Sequence, residues 1–170
     1  MTNNEHTNSA DSGTPAAKLS HDLRDADLSG ANLAGANLAD ANLRGANLIG
    51  ADLVGADLYD ADLYDADLRC AGLAGAKLLE ADLYEADLRC AGLAGANLYD
   101  ADLCDANLTG AKLDGANLTG ADLDRANLAG AYLRTADLRA TNLTGADLTS
   151  AWLDGARVTQ AQLDSLEVVA

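Results

Sequence analysis

Residues 63–82 read LYDADLRCAGLAGAKLLEAD, and residues 83–102 read LYEADLRCAGLAGANLYDAD. The two stretches match at 16 of 20 positions and differ only at 65/85, 77/97, 79/99 and 80/100, so twenty residues can be added to this chain as one unit. Within each copy a shorter period runs. Leu returns every fifth residue, Ala stands two residues before it, and Asp or Asn usually lies between. Outward from this centre the period holds from Leu23 to Leu163 without insertion or deletion: 28 of 29 positions are Leu and the exception is Val158, a regularity that fixes the architecture. Ala keeps its place from Ala26 to Ala161 except at Thr141, and His21-Asp22-Leu23 forms an imperfect first copy.

A period of five fits no helix face, because at about 3.6 residues per turn each fifth residue is rotated by roughly 140°. It fits no plain strand either, where side chains alternate with a period of two. It fits a chain that turns a corner every five residues and always presents Leu and Ala inward. Such a unit cannot bury its apolar face alone, so units stack into a solenoid. Four pentapeptides make twenty residues, one per side of a square, and outward residues then form columns spaced by twenty.

The unbroken A-(D/N)-L-x-x resembles the pentapeptide-repeat family over residues 21–163. The resemblance implies an all-β fold, a right-handed quadrilateral β-helix of about seven 20-residue coils. At about 4.8 Å per coil the rod is on the order of 35 Å long. It also implies that Leu and Ala face in, that the Asp or Asn points out, and that the last two residues make the turn. Thirteen of the 16 glycines sit at the second of these turn positions, where a type II turn requires positive φ. The expected layout is a disordered polar tail over 1–17, the β-helix over 18–163 and a C-terminal cap over 164–170. The cap is expected to be a short helix, because Thr159-Gln160-Ala161-Gln162 has the form of a capping box before the apolar Leu163, Leu166, Val168 and Val169.

The length allows one elongated domain. The chain has no Phe and one Pro, so its core is a narrow stack of Leu and Ala. No apolar run approaches the roughly 18 residues of a membrane span, and residues 1–18 lack the apolar segment of a secretory signal. The three cysteines do not make a secreted disulfide framework, which points to the cytoplasm. Cys70 and Cys90 share a column beside Arg69 and Arg89, and the duplicated coil explains the pair without a function. Neither His6 nor His21 lies within the coils, so no metal site, cofactor or catalytic constellation is expected. A filled solenoid should also lack a substrate-sized pocket.

Net charge is −16, which disfavours nucleic acid and anionic membrane as partners and favours a basic protein surface or cations. The acids fall into columns: Asp40, Asp60, Glu80 and Asp100; Asp62, Asp82, Asp102 and Asp122; Asp65, Glu85 and Asp105. They are expected on two adjacent sides of the square and the corner between them. Residues 52–105 hold 13 acids against Arg69, Lys77 and Arg89, net −10. Over about 13 Å that is one charge per ~1.3 Å, against about 1.7 Å for duplex DNA. Tyr59, Tyr64, Tyr84 and Tyr99 border these columns. Two readings of them are open, covers for turns that lack Gly or the apolar centre of an interface. The acids themselves are open to three: a solvated face, a protein-binding face or a cation-binding face. A Thr array flat enough for ice does not exist.

The best-understood members of the family resemble DNA in size, shape and charge, and occupy the basic DNA saddle of type II topoisomerases. The resemblance therefore implies a non-enzymatic rod whose partner is DNA gyrase. The alternatives are a scaffold with another protein partner and a cation-binding solenoid. Lys112, Tyr132 and Trp152 form a further column near the C-terminus. Family members that inhibit topoisomerases pair tail to tail through that end, which makes Tyr132, Trp152, Leu166 and Val168 a candidate dimer interface.

Overall fold

Each pentapeptide closes a turn with one short hydrogen bond, typified by Ala36 N–H donating to the Leu33 carbonyl at 3.0 Å. The second turn residue has positive φ throughout, from 51° at Asp60 to 76° at Gly120, as a type II turn requires. The computed structural model describes residues 22–165, and across them the four-sided solenoid expected from the period is present. Every bridge joins residues twenty apart in parallel, from Asp22 with Asn42 to Asp137 with Arg157. Three backbone bonds tie each pentapeptide to the next coil or the previous one. Leu33 N–H donates to Asp52 O at 2.7 Å, Gly35 N–H to Val54 O at 2.9 Å, and Asp52 N–H back to Ala31 O at 2.9 Å. Turns as well as sides are therefore in register.

The interior is the stack of Leu and Ala. Leu63, Leu83 and Leu103 occupy one buried column, and Ala61, Ala81 and Ala101 lie buried beside them. Burial is complete from Leu43 to Leu138 and fades at both ends, where Leu23, Leu28, Leu33, Leu148 and Leu153 are only partly covered, since the described coils stack on them from one side. Thr141 fits where Ala stands elsewhere. It is 4% exposed, and its hydroxyl donates to the Leu118 carbonyl at 2.8 Å, so the extra oxygen is satisfied.

The outward Asp or Asn has a local task. Its Oδ1 accepts the backbone N–H two residues on, as Asn32 does from Ala34 at 3.2 Å and Asp82 from Tyr84 at 3.0 Å. This closes the turn from outside. Asp and Asn serve equally, so the motif fixes the acceptor and leaves the charge free.

The coils end in α1, Gln160–Ser165. It begins inside the range assigned to the β-helix, four residues before the expected boundary. Thr159 and Gln162 form the expected capping box: Thr159 N–H donates to Gln162 Oε1 at 2.8 Å, and Gln162 N–H to Thr159 Oγ1 at 3.3 Å. Gln162 Nε2 also donates to the carbonyls of Thr141 at 2.8 Å and Leu138 at 2.6 Å. In the preceding coils the corresponding carbonyl takes a backbone N–H from the coil below, as Ala121 O does from Asn142. The side-chain amide replaces that bond where the chain leaves the ladder. The expected tail over 1–17 and most of the cap over 164–170 lie outside the described residues.

Thirteen of the positive-φ positions are glycine, and Thr135, at φ 58°, is a β-branched residue among them. A side chain there costs about 1–2 kcal/mol, partly offset by the entropy glycine loses on folding. Thr135→Gly is expected to raise stability by about 0.5–1 kcal/mol in urea denaturation followed by circular dichroism.

Candidate partner-binding face

The bridge positions define four sides. The first carries Asp62, Asp82 and Asp102. Asp60, Glu80 and Asp100 occupy the corner before it, and Asp65, Glu85 and Asp105 the corner after it. The three acidic columns therefore lie on one side and its two flanking corners, which corrects the expected two sides and shared corner. The reason is geometric. Residues 60 and 65 are the second turn residues on either side of the extended step at Asp62, so they bracket a single side.

The nine acids fall into two kinds. Asp62, Asp82 and Asp102 accept turn N–H groups from Tyr64, Tyr84 and Cys104 at 3.2, 3.0 and 2.9 Å, and an Asn would do the same. The other six close no turn. All six sit at positive φ, between 51° and 59°, where Gly is free of strain.

Basic residues are segregated from this side. In residues 52–105 all three stand elsewhere and are engaged: Arg69 with Asp67 at 2.6 Å, Arg89 with Asp87 at 2.6 Å and Lys77 with Asp57 at 3.1 Å. Only the two ends of the acidic ladder are neutralised, by Arg44 on Asp62 at 3.4 Å and Arg125 on Asp105 at 2.6 Å. Among the described residues Asp60, Asp65, Glu80, Asp82, Glu85, Asp100 and Asp102 have no ion pair.

The tyrosines are tied into the ladder. Tyr64 and Tyr84 stack with centroids 5.6 Å apart and planes within 9°, and the Arg44 guanidinium lies 4.0 Å above the Tyr64 ring. Tyr64 Oη donates to Glu85 Oε2 at 3.1 Å, and that bond raises its pKa. The charge of Asp105 does the same to Tyr84, and that of Glu80 to Tyr59. Each pairing runs from one first-turn residue to the acid 21 positions on. Tyr59 and Tyr99 are each 41% exposed. Arg44 and Arg125 were not legible as site residues from the motif. The signal lay in their columns, one coil above Tyr64 and one coil below Asp105.

Tyr132 and Trp152 stack at 6.2 Å with planes within 7°, and both are exposed. Leu166 and Val168 lie outside the described residues. The core is filled, but a shallow open depression of about 390 Å³ lies on the fourth side, between Tyr99, Asn117, Thr119, Asp137 and Arg139. Among the described residues no three His, Cys, Asp or Glu side chains converge as a metal ion would need. No described helix is long and apolar enough to cross a membrane.

Within the depression, hydrogen bonds from Arg139 hold the Asp137 carboxyl at about 2. A lowered carboxyl pKa stabilises the fold above the unfolded value of about 3.9, and that contribution is lost as pH falls toward 2. Arg139→Ala is expected to move the Asp137 midpoint, followed by carboxyl NMR, up toward the ordinary value.

The chain belongs to the pentapeptide-repeat family. The model of "Pentapeptide repeats" matches in overlapping segments from residue 22 to residue 167. The fold is accordingly the right-handed quadrilateral β-helix. Among solved structures, HetL, a pentapeptide-repeat protein involved in heterocyst differentiation regulation in Nostoc sp. strain PCC 7120, is 37% identical, covering 80% of this chain and 82% of that one, with a TM-score of 0.39. A pentapeptide-repeat protein of the Arabidopsis thaliana thylakoid lumen is 34% identical over 66% of this chain and 65% of that one, with a TM-score of 0.41. QnrB1, a plasmid-mediated fluoroquinolone resistance protein, is 21% identical over 81% and 85%, with a TM-score of 0.31. Comparison with curated protein sequences finds no match.

Proposed function

We propose that this chain is a non-enzymatic rod that binds a basic protein groove through its first side, and that the groove is the DNA saddle of a type II topoisomerase, DNA gyrase. It would occupy that groove as a stand-in for DNA. The observation that carries this reading is the set of six acids at Asp60, Asp65, Glu80, Glu85, Asp100 and Asp105. They occupy strained turn positions, close no turn, and repel one another along two corners. Folding alone would favour Gly there. Their shared property is negative charge presented toward one side. Tyr59, Tyr64, Tyr84 and Tyr99 supply flat, partly apolar surface between the charges, as aromatic residues do at interface centres. The cytoplasm, where such an enzyme meets DNA, is the compartment this function requires. Pairing of two rods through the end that carries Tyr132 and Trp152 would double the length of the acidic face, and sedimentation at micromolar concentration tests it.

Coulombic attraction to a basic groove speeds association and weakens steeply with salt. In a pull-down from lysate, a topoisomerase should be retained at low salt, released at high salt and displaced by added duplex DNA. Partners that stay bound at high salt and ignore DNA would instead identify a scaffold.

A further inference from the structure

We propose that Cys70 and Cys90 are a modification site, a dithiol that a small disulfide such as oxidised glutathione converts into a disulfide joining two adjacent coils. Both thiols are free and exposed, and they stand one above the other at the corner between the second and third sides. They share the context Arg-Cys-Ala-Gly, with φ of 57° and 59°, so the repeat gives them the same local geometry. One coil separates their Cα atoms, about 4.8 Å, within the range a disulfide spans.

The Cys90 thiol points along the column. Cys90 Sγ lies 3.9 Å from where a Cβ on Gly110 would stand, one coil further on. With Cys70 in that rotamer, the repeat would set its Sγ about 3.9 Å from the Cβ of Cys90, where a disulfide needs roughly 3 Å. A turn of Cys90 about χ1 and a closure of about 1 Å complete the bond. Arg69 and Arg89, the preceding residues, are held by Asp67 and Asp87 and leave the thiols uncovered. Cys104 is the contrasting thiol: burial, with hydrogen bonds to Asp102 and Asp122, pushes it up to about 12, so it stays protonated at neutral pH and takes no part.

The exchange balances. The Cys70 thiolate attacks glutathione disulfide, releasing one glutathione thiolate, which takes up the proton Cys70 gave up. The Cys90 thiolate then attacks Cys70 Sγ, forming the Sγ–Sγ bond and releasing the second glutathione. Two protein thiols are oxidised and one glutathione disulfide is reduced. The new bond lies away from the acidic side, so it fastens the middle coils without covering the proposed binding face.

The test equilibrates the folded protein with graded ratios of oxidised to reduced glutathione, then traps and maps it with trypsin without reduction. The expected product is a monomer lighter by two hydrogens. In it, peptide 70–77 is linked to peptide 90–112, and fragmentation places the link at Cys90 rather than Cys104. The midpoint should shift to a more reducing ratio than for the same protein in concentrated urea, because the fold aligns the thiols. In Cys70→Ala the linked peptide should vanish, leaving Cys90 as a glutathione adduct. Two separate adducts in the unsubstituted protein, a disulfide between two chains, or equal midpoints with and without urea would each overturn the proposal.

Discussion

Leu83→Asp is expected to lower stability by more than about 3 kcal/mol, because it places an unpaired carboxylate in a fully buried column. Leu83 lies with Leu63 above and Leu103 below, and no described polar side chain reaches the interior at that level. In a solenoid each coil is held by its neighbours, so a fault in the middle weakens both flanks. Leu83→Met keeps the volume and should cost less than about 1.5 kcal/mol. Urea denaturation of the three proteins reads the difference. Equal midpoints for the Asp variant and the unsubstituted chain would contradict the stacked core.

Replacing the six turn acids with their amides, Asp60, Asp65, Asp100 and Asp105 with Asn and Glu80 and Glu85 with Gln, is expected to leave the fold intact and remove partner binding. Amides keep the size and tolerate the same φ, so backbone strain is unchanged. Six negative charges disappear, with the repulsion along both corners, and stability should hold or rise. The Arg125 bond to Asp105 is the one ion pair lost, and exposed pairs of this kind contribute little. Affinity for a basic groove should fall on the order of a hundredfold or more at low salt. A variant that folds and binds undiminished would move the function away from this face.

Much of this was legible in the sequence, because a strict period carries its own geometry. The offset of twenty predicts the bridges, and Leu at every fifth residue predicts the interior. Thr141 predicts its own bond to a backbone carbonyl, and Thr159 with Gln162 predicts the start of a helix. Positions set by side-chain reach were not legible. The period gives a column for Arg44 or Arg125 but does not say whether the guanidinium turns up, down or sideways. For the same reason the pairing of Arg69 and Arg89 with acids of the second side stayed hidden, and with it the isolation of the first side. The acidic columns share one side because residues 60 and 65 are turn residues that bracket it and belong to no side of their own. The depression beside Tyr99 depends on side-chain rotamers, which the repeat leaves free.

The central claim is that the first side stands in for DNA, and a gyrase supercoiling assay tests it most directly. The purified chain is added in increasing excess at low salt, with the six-amide variant alongside, and DNA binding to the enzyme is followed in parallel. The account predicts that the chain inhibits supercoiling, competes with DNA for the enzyme, loses effect as salt rises, and is inactive as the variant. Unchanged supercoiling at large excess, with DNA binding to gyrase undisturbed, would contradict it.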